Sequence, residues 1–183
     1  FAGRDVFLPN GAPPAIGTVL RQPALARTLQ AIADSGESAF YRGWIADSIA
    51  AEMARNGGLI TKGDLARYTA AWRAPLVFTY RAWTLVGMPP SSSGGVTMAE
   101  TMNILENAPA LPPFGSTQRL HLTASALQRA FIDRNTKLGD PDFVKVPLDE
   151  LTSKAYAKAL WATIDPARAT PTPTFGEGRR IPA

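Results

Sequence analysis

Apolar positions along this chain change period several times, and each change marks an element. From Gln22 onward Leu25, Leu29, Ile32 and Ala33 fall at i, i+4, i+7 and i+8, which predicts a helix that stops at Ser35-Gly36. Tyr41, Trp44, Ile45, Ile49 and Met53 continue at helical spacing, predicting a second helix over 38–56 that Asn56-Gly57-Gly58 ends with αL-tolerant residues. The two form an αα-hairpin. Thr61-Lys62-Gly63-Asp64 reads as a capping box that opens a short turn through Tyr68. The period then shifts to two. Leu76–Tyr80 and Trp83–Val86 are rich in β-formers and separated by Arg81-Ala82, so they predict a β-hairpin that Pro89-Pro90 terminates.

Ser91-Ser92-Ser93-Gly94-Gly95 opens the next helix, which carries Met98, Met102 and Leu105, until Pro109, Pro112 and Pro113 break the chain. The clearest helix starts at Ser116 or Thr117. Leu120, Ala124, Leu127 and Phe131 mark its predicted core face through to Leu138, with Gly139 as its cap. A last short helix covers 152–163. Residues 1–17, with three prolines and three glycines, read as an arm, and 164–183 as a Pro/Thr/Gly-rich tail. No internal repeat and no long linker interrupts the chain, so 1–183 is expected to be a single, partial domain. The fold class is α+β, mainly helical with one hairpin.

Composition narrows the chemistry. With no cysteine and a single histidine in 183 residues, neither thiol chemistry nor a protein-only zinc, copper or iron–sulfur site is expected. No apolar run approaches the ~20 residues that span a bilayer, so no membrane partner is expected. The net charge of +4 is dispersed rather than gathered into a basic stripe, which argues against nucleic acid. The first residue is Phe1, not methionine, as expected of a piece of a longer polypeptide.

The candidate functional side chains do not assemble into a catalytic set. Ser91–Gly95 could offer N–H groups to an anion, or could be a helix cap followed by a glycine pair that lets helix and sheet approach closely. It fits neither a P-loop nor a hydrolase elbow. His121 and Asp133 lie on one helix and converge on no nucleophile, so His121 reads as a packing or hydrogen-bonding residue. Asp140 and Asp142 around Pro141 suit an Asx-type turn, and the pair Asp149 and Glu150 lacks the ligand series of a calcium loop. Arg21, Arg129 and Arg134 could each clamp a carboxylate but are more commonly surface ion pairs. Met98 and Met102 read as core.

Six strings in register resemble one family, the γ-glutamyltranspeptidases (glutathione hydrolases). They are Arg21–Leu29, Ala39–Gly43, Gly57–Thr61 with Asp64-Leu65 and Tyr68, Met88–Gly95, Asn103–Glu106, and Asp133-Arg134 followed by Leu138–Val144. The resemblance covers about residues 15–160 and implies the C-terminal half of a large subunit. It implies part of a four-layer αββα sandwich of the N-terminal-nucleophile hydrolase class, made as a precursor that cuts itself. The nucleophile would be the N-terminal threonine of a small subunit, activated by its own α-amino group. The implied reaction cleaves γ-glutamyl amides and passes the acyl group to water or to an amino acid.

The partners so implied are that small subunit and an upstream part of the large subunit, with a small γ-glutamyl substrate and no cofactor. The arginine that holds the substrate carboxylate and the threonine itself would both lie outside this chain, so no catalytic or substrate-binding residue is assigned here. The chain alone is expected to be inactive. Relatives of the same fold act on oxamate, cephalosporin side chains or poly-γ-glutamate, and a non-catalytic structural module is a further alternative. The family is often exported, which implies a periplasmic or secreted protein, with the cytoplasm left open.

Overall fold

A computed structural model describes residues 3–171. The chain divides into two compact units, Phe1–Ala71 and Trp72–Ala183, and the division falls in an exposed stretch without helix or strand over residues 68–75.

The first unit is helical. Residues expected to be an arm contain α1 (Arg4–Phe7) and a 3-10 turn (Pro9–Gly11), so the prolines and glycines there punctuate helical turns rather than preventing them. Pro23 occupies the first turn of α2 (Pro23–Ser35), where its missing N–H costs nothing, and Gly36 at φ 65° ends it. The predicted second helix is in fact two, α3 (Glu37–Tyr41) and α4 (Trp44–Asn56). The break falls at Arg42-Gly43, whose N–H groups both turn back to the Ser38 carbonyl. A Cβ at Gly43 would stand 2.8 Å from the Ala39 carbonyl oxygen, so the chain can only reverse this tightly at glycine. Gly57 at φ 70° closes α4 as the Asn-Gly-Gly pattern requires. The capping box of α5 (Lys62–Arg67) is complete, with Thr61 Oγ1 accepting from the Asp64 N–H and Asp64 Oδ2 accepting from the Thr61 N–H. Tyr41 stacks on Tyr68 at 5.3 Å, and Arg42 donates to the Ala66 carbonyl, tying α3 to the end of α5.

The second unit holds the core. Strands β1 (Leu76–Tyr80) and β2 (Trp83–Gly87) pair antiparallel from Leu76 opposite Gly87 to Tyr80 opposite Trp83. Leu76 and Phe78 point inward with the period of two, while Val77 stays exposed. Against them lies α6 (Gly94–Leu105), nine of whose twelve residues are buried, which makes it the central helix of this unit. It is flanked by α7 (Thr117–Lys137), α8 (Leu148–Leu151) and α9 (Lys154–Trp161). One apolar cluster joins Leu76, Phe78, Val96, Ala99 and Leu151, and a second joins Ile104, Leu105, Leu122, Ala126 and Ala157.

Two expectations for α7 fail. Its buried side carries Leu122, Ser125, Ala126, Arg129, Ala130 and Asp133, whereas Leu120 is 62% exposed and Phe131 45%. The more apolar stripe faces away from the core of this unit because the other side satisfies its charges internally. Gly139 is not an αL cap either. Leu138 leaves the helix in extended backbone, and Gly139 is needed because a Cβ there would meet Val144 Cγ2 at 2.6 Å.

In the Ser-Ser-Ser-Gly-Gly run, Ser93, at the N-cap of α6, makes no side-chain cap, although Ser92 Oγ accepts from the Gly94 N–H at 3.4 Å. Of the run's two glycines, Gly95 serves close approach. A Cβ on Gly95 would sit 2.2 Å from the Met88 carbonyl oxygen, and one on Gly87 would sit 3.1 Å from Gly95 Cα. Gly95→Ala is therefore expected to lower the unfolding free energy of the intact protein, measured by denaturant titration, by about 1–3 kcal/mol, since the obstacle is backbone. Gly94→Ala, whose Cβ meets only Ser92 Oγ at 3.7 Å, is expected to be neutral or slightly stabilising in the same measurement. Equal losses at both positions would contradict this account.

Candidate functional site

The strongest concentration of chemistry in the second unit is a polar cluster buried among α6, α7 and α9. Glu100 rises from the middle of α6, in the row Val96, Glu100, Ile104 that successive turns place on one face, and is 1% exposed. Its carboxyl lies against that of Asp133, which is 6% exposed. Tyr156 of α9 donates its hydroxyl hydrogen to Asp133 Oδ2 at 2.6 Å. Lys137 Nζ reaches Asp133 Oδ1 at 3.1 Å, the Tyr156 hydroxyl at 2.8 Å and Glu150 of α8 at 3.4 Å.

Burial first, and then the hydrogen bond to Asp133 and its charge, push the Glu100 carboxyl up to about 9. Glu100 is thus a neutral acid at neutral pH, able to donate to Asp133, and its Oε1 has no hydrogen-bond partner. For Lys137, burial opposes the charge, but the hydrogen bonds with Tyr156 and Asp133 prevail and raise its pKa. A neutral carboxylic acid near neutrality suits general acid catalysis, yet a catalytic acid must reach substrate. Glu100 does not line the groove beside it. The cluster therefore holds α6, α7 and α9 together.

That groove, about 440 Å³, runs between α6 and α7. Met98, Met102, Leu105, Leu127 and Phe131 make its walls, with Ser93 and Arg134 at one end. Arg134 Nε donates to Ser93 Oγ at 3.1 Å, and its guanidinium lies 5.7 Å from the Phe131 ring centroid. So Ser91–Gly95 and Arg134, singled out separately from sequence, do meet. Met102 packs against the core, but Met98 is exposed along the groove rather than buried as expected.

The remaining candidates are structural. His121 Nε2 donates to the Asp165 carbonyl at 2.8 Å. It sits 13 residues from Arg134 on the same helix, hence about 20 Å along its axis from the Ser93 end of the groove, and cannot serve a hydroxyl there as base. Asp140 forms the expected Asx turn, accepting from the Asp142 N–H at 3.0 Å. Arg73 then grips Asp142 with two hydrogen bonds of 3.1 and 2.6 Å, holding the Asp142 carboxyl below the usual carboxylate range. Glu150 joins Lys137, while Asp149 and Arg21 are exposed. Arg129, expected at the surface, is buried. Among the described residues no group of three His, Asp or Glu side chains is placed to hold a metal. No helix among them is long and apolar enough to cross a membrane.

A second network escapes a motif search. Asn103 donates to the Thr152 carbonyl at 2.8 Å and accepts from Lys154 at 2.6 Å. Lys154 also reaches the Thr79 carbonyl at 2.6 Å and pairs with Glu106, whose other oxygen accepts from the Arg81 N–H. The string Asn103-Ile104-Leu105-Glu106 thus uses its polar ends to tie α9 and the hairpin turn to α6, and its apolar middle for the core.

The γ-glutamyltranspeptidase family model matches residues 2–181. The chain is 45% identical over 180 residues to the glutathione hydrolase proenzyme of Escherichia coli K12, covering 98% of this chain and 31% of that protein. The chain belongs to the γ-glutamyltranspeptidase family. It is also 42% identical over 165 residues to the acylase ACY 1 proenzyme of a Pseudomonas strain, SE83, covering 90% of this chain and 30% of that one. In three dimensions it matches the γ-glutamyltranspeptidase of Helicobacter pylori with a TM-score of 0.82 at 38% identity, over 98% of this chain and 54% of the matched one. It therefore contributes helices and a hairpin to the αββα fold of the N-terminal-nucleophile hydrolases. The chain spans about a third of the length of its proenzyme relatives. Within the γ-glutamyltranspeptidase frame, Asn103–Glu106, Leu138–Val144 and Gly95 are packing and turn devices.

Proposed function

We propose that this chain is a segment of the large subunit of a γ-glutamyl-transferring enzyme, a glutathione hydrolase, whose nucleophile is the N-terminal threonine of a separate small subunit. The family match across residues 2–181, with 45% identity to a glutathione hydrolase proenzyme, carries this reading. The geometry is in keeping with it, since Ser93, at the start of α6, is paired with Arg134 and His121 is held on the Asp165 carbonyl about 20 Å away along α7, so these two do not form a nucleophile–base pair. The segment's own work is mechanical. Glu100, Asp133, Lys137 and Tyr156 on one side, and Asn103, Glu106 and Lys154 on the other, hold α6 as a rigid strut. A threonine hydroxyl freed at a new N-terminus would attack the γ-glutamyl carbonyl, and its α-amine would take the proton.

The identity of 42% with an acylase proenzyme, together with the likeness to a cephalosporin acylase of Bacillus halodurans at a TM-score of 0.77 and 32% identity, supports a second reading, the same acyl chemistry on a cephalosporin side-chain amide. Both are tested on the full-length protein. We expect release of the chromophore from a γ-glutamyl anilide by the two-chain form and none by the 183-residue chain alone. Turnover of the cephalosporin amide with no γ-glutamyl turnover would favour the acylase reading, and activity in the isolated chain would overturn both.

A further inference from the structure

Beyond α9 the chain runs without regular structure through residues 163–171, and α7 reaches out to it three times. His121 Nε2 donates to the Asp165 carbonyl, and Gln128 Nε2 donates to the Thr170 carbonyl at 3.1 Å. Arg129 donates through Nε to Thr163 Oγ1 and through Nη2 to the Thr163 carbonyl, both at 2.7 Å, and more distantly to Thr170 Oγ1 at 3.5 Å. Its Nη1 meets the Ser125 carbonyl at 2.9 Å. These contacts go largely to main-chain carbonyls, so they set the path of the segment rather than reading its side chains.

Arg129 is the unusual member. It is 7% exposed, burial lowers its pKa, and its hydrogen-bond acceptors among the described residues are all neutral. A buried guanidinium without a carboxylate is a poor device for stability, because desolvation opposes it and an apolar side chain of similar volume packs more cheaply. What a planar fork supplies is direction. We infer that Arg129, with Gln128 and His121, is a clamp that positions residues 163–171 and thereby presents the downstream peptide bond for the cut that matures the precursor, so that Arg129 is a positioning residue for self-cleavage. This rests on the reading of the chain as the large-subunit side of a self-cutting precursor. The cut itself hydrolyses one peptide bond: one water is consumed, a carboxylate is left on this side, and a free α-amino group appears on the threonine.

The full-length precursor is synthesised in a cell-free pulse and its cleavage followed by intact mass, for the parent, Arg129→Met, Arg129→Lys and Thr163→Val. In parallel the two subunits are made as separate chains, the small one already starting at its threonine, and γ-glutamyl anilide turnover is measured. Arg129→Met is expected to slow cleavage about tenfold or more, since loss of register at the scissile bond costs orientation. Arg129→Lys keeps the charge but not the fork, and Thr163→Val removes the hydroxyl that accepts from Arg129 Nε and donates to the Leu160 carbonyl while the Thr163 carbonyl still accepts from Nη2, so each is expected to slow cleavage about threefold. Turnover by the separately made subunits stays within about twofold of the parent, because the path toward the cut no longer matters there. Cleavage of all three variants at the parental rate overturns the clamp. So does a loss of turnover in the separate chains as large as the loss of cleavage, which would mark Arg129 as merely structural. Should Arg129→Met not fold, the two milder variants decide by the same criteria. A parent precursor that is never cut overturns the underlying reading and the clamp with it, an outcome distinct from a cut parent with normally cut variants.

Discussion

Asp133→Ala is expected to destabilise the intact protein by about 3 kcal/mol, at the lower end of what breaking a buried charged network costs. Three groups lose a partner at once. Tyr156 keeps a half-buried hydroxyl without its 2.6 Å acceptor, Glu100 faces a void, and Lys137 loses its 3.1 Å ion pair. Lys137 is the least affected, since Glu150 lies 3.4 Å away and can take over part of the charge. For that reason we place the loss near 3 rather than 5 kcal/mol. Tyr156→Phe removes two hydrogen bonds, the one donated to Asp133 and the one accepted from Lys137, and leaves the ion pair, so it is expected to cost about 1–2 kcal/mol. Denaturant unfolding of the intact protein at pH 7 checks both values. A loss under about 1 kcal/mol for Asp133→Ala would mean that the cluster is hydrated and weak.

Glu100 is expected to make stability fall as pH rises, opposite in sign to a salt-bridged carboxylate. Its ordinary value is near 4.5 and the folded protein holds it up to about 9. Between those limits the unfolded chain has released the proton and the folded chain keeps it. The folded state therefore binds more protons there, and raising the pH favours unfolding. The contribution is fully present below about pH 4.5 and is lost progressively up to about pH 9, with a slope of roughly 1 kcal/mol per pH unit at its steepest. Other titratable groups face this position from the packed elements: Asp133 and Lys137 from α7, Tyr156 from α9, and Glu150 from α8 through Lys137. The hairpin contributes only apolar side chains, Leu76 and Phe78. Glu100→Gln keeps a donor toward Asp133 and cannot ionise. It is expected to match the parent near pH 5 and to exceed it increasingly toward pH 9 when unfolding is measured across that range at constant ionic strength. Parallel profiles for the two proteins would show that Glu100 titrates as an exposed carboxyl.

Much of the secondary structure is legible from period and punctuation. The limits of α2, the capping box at Thr61, the hairpin about Arg81-Ala82 and the start of α7 at Ser116 all follow from local chemistry, and the structure places them there. The break between α3 and α4 was less visible because Tyr41, Trp44 and Ile45 keep a helical beat across Gly43. The candidate site was legible only in part. Ser93 and Arg134 were each conspicuous, but their pairing spans 41 positions. Glu100 carried one faint local signal, an acidic residue in an otherwise apolar row with Val96 and Ile104. Nothing in its neighbourhood shows that Asp133, 33 positions on, would share its environment.

Sequence by itself determined most of the helices and the hairpin with their approximate limits, though not α1, α8 or the break between α3 and α4, as well as the absence of thiols and, through six strings in register, the family. Those properties depend on neighbours within a few positions, or on residue identity alone. Tertiary structure decided which face of each helix is inside. On α7 the apolar stripe of Leu120, Leu127 and Phe131 lost to a face bearing Arg129 and Asp133. The physical reason is that burial energy belongs to pairs of surfaces. A charged face can go inside when Thr163, Tyr156 and Lys137 arrive to satisfy it, and an apolar one can stay outside when no other part of the unit covers it.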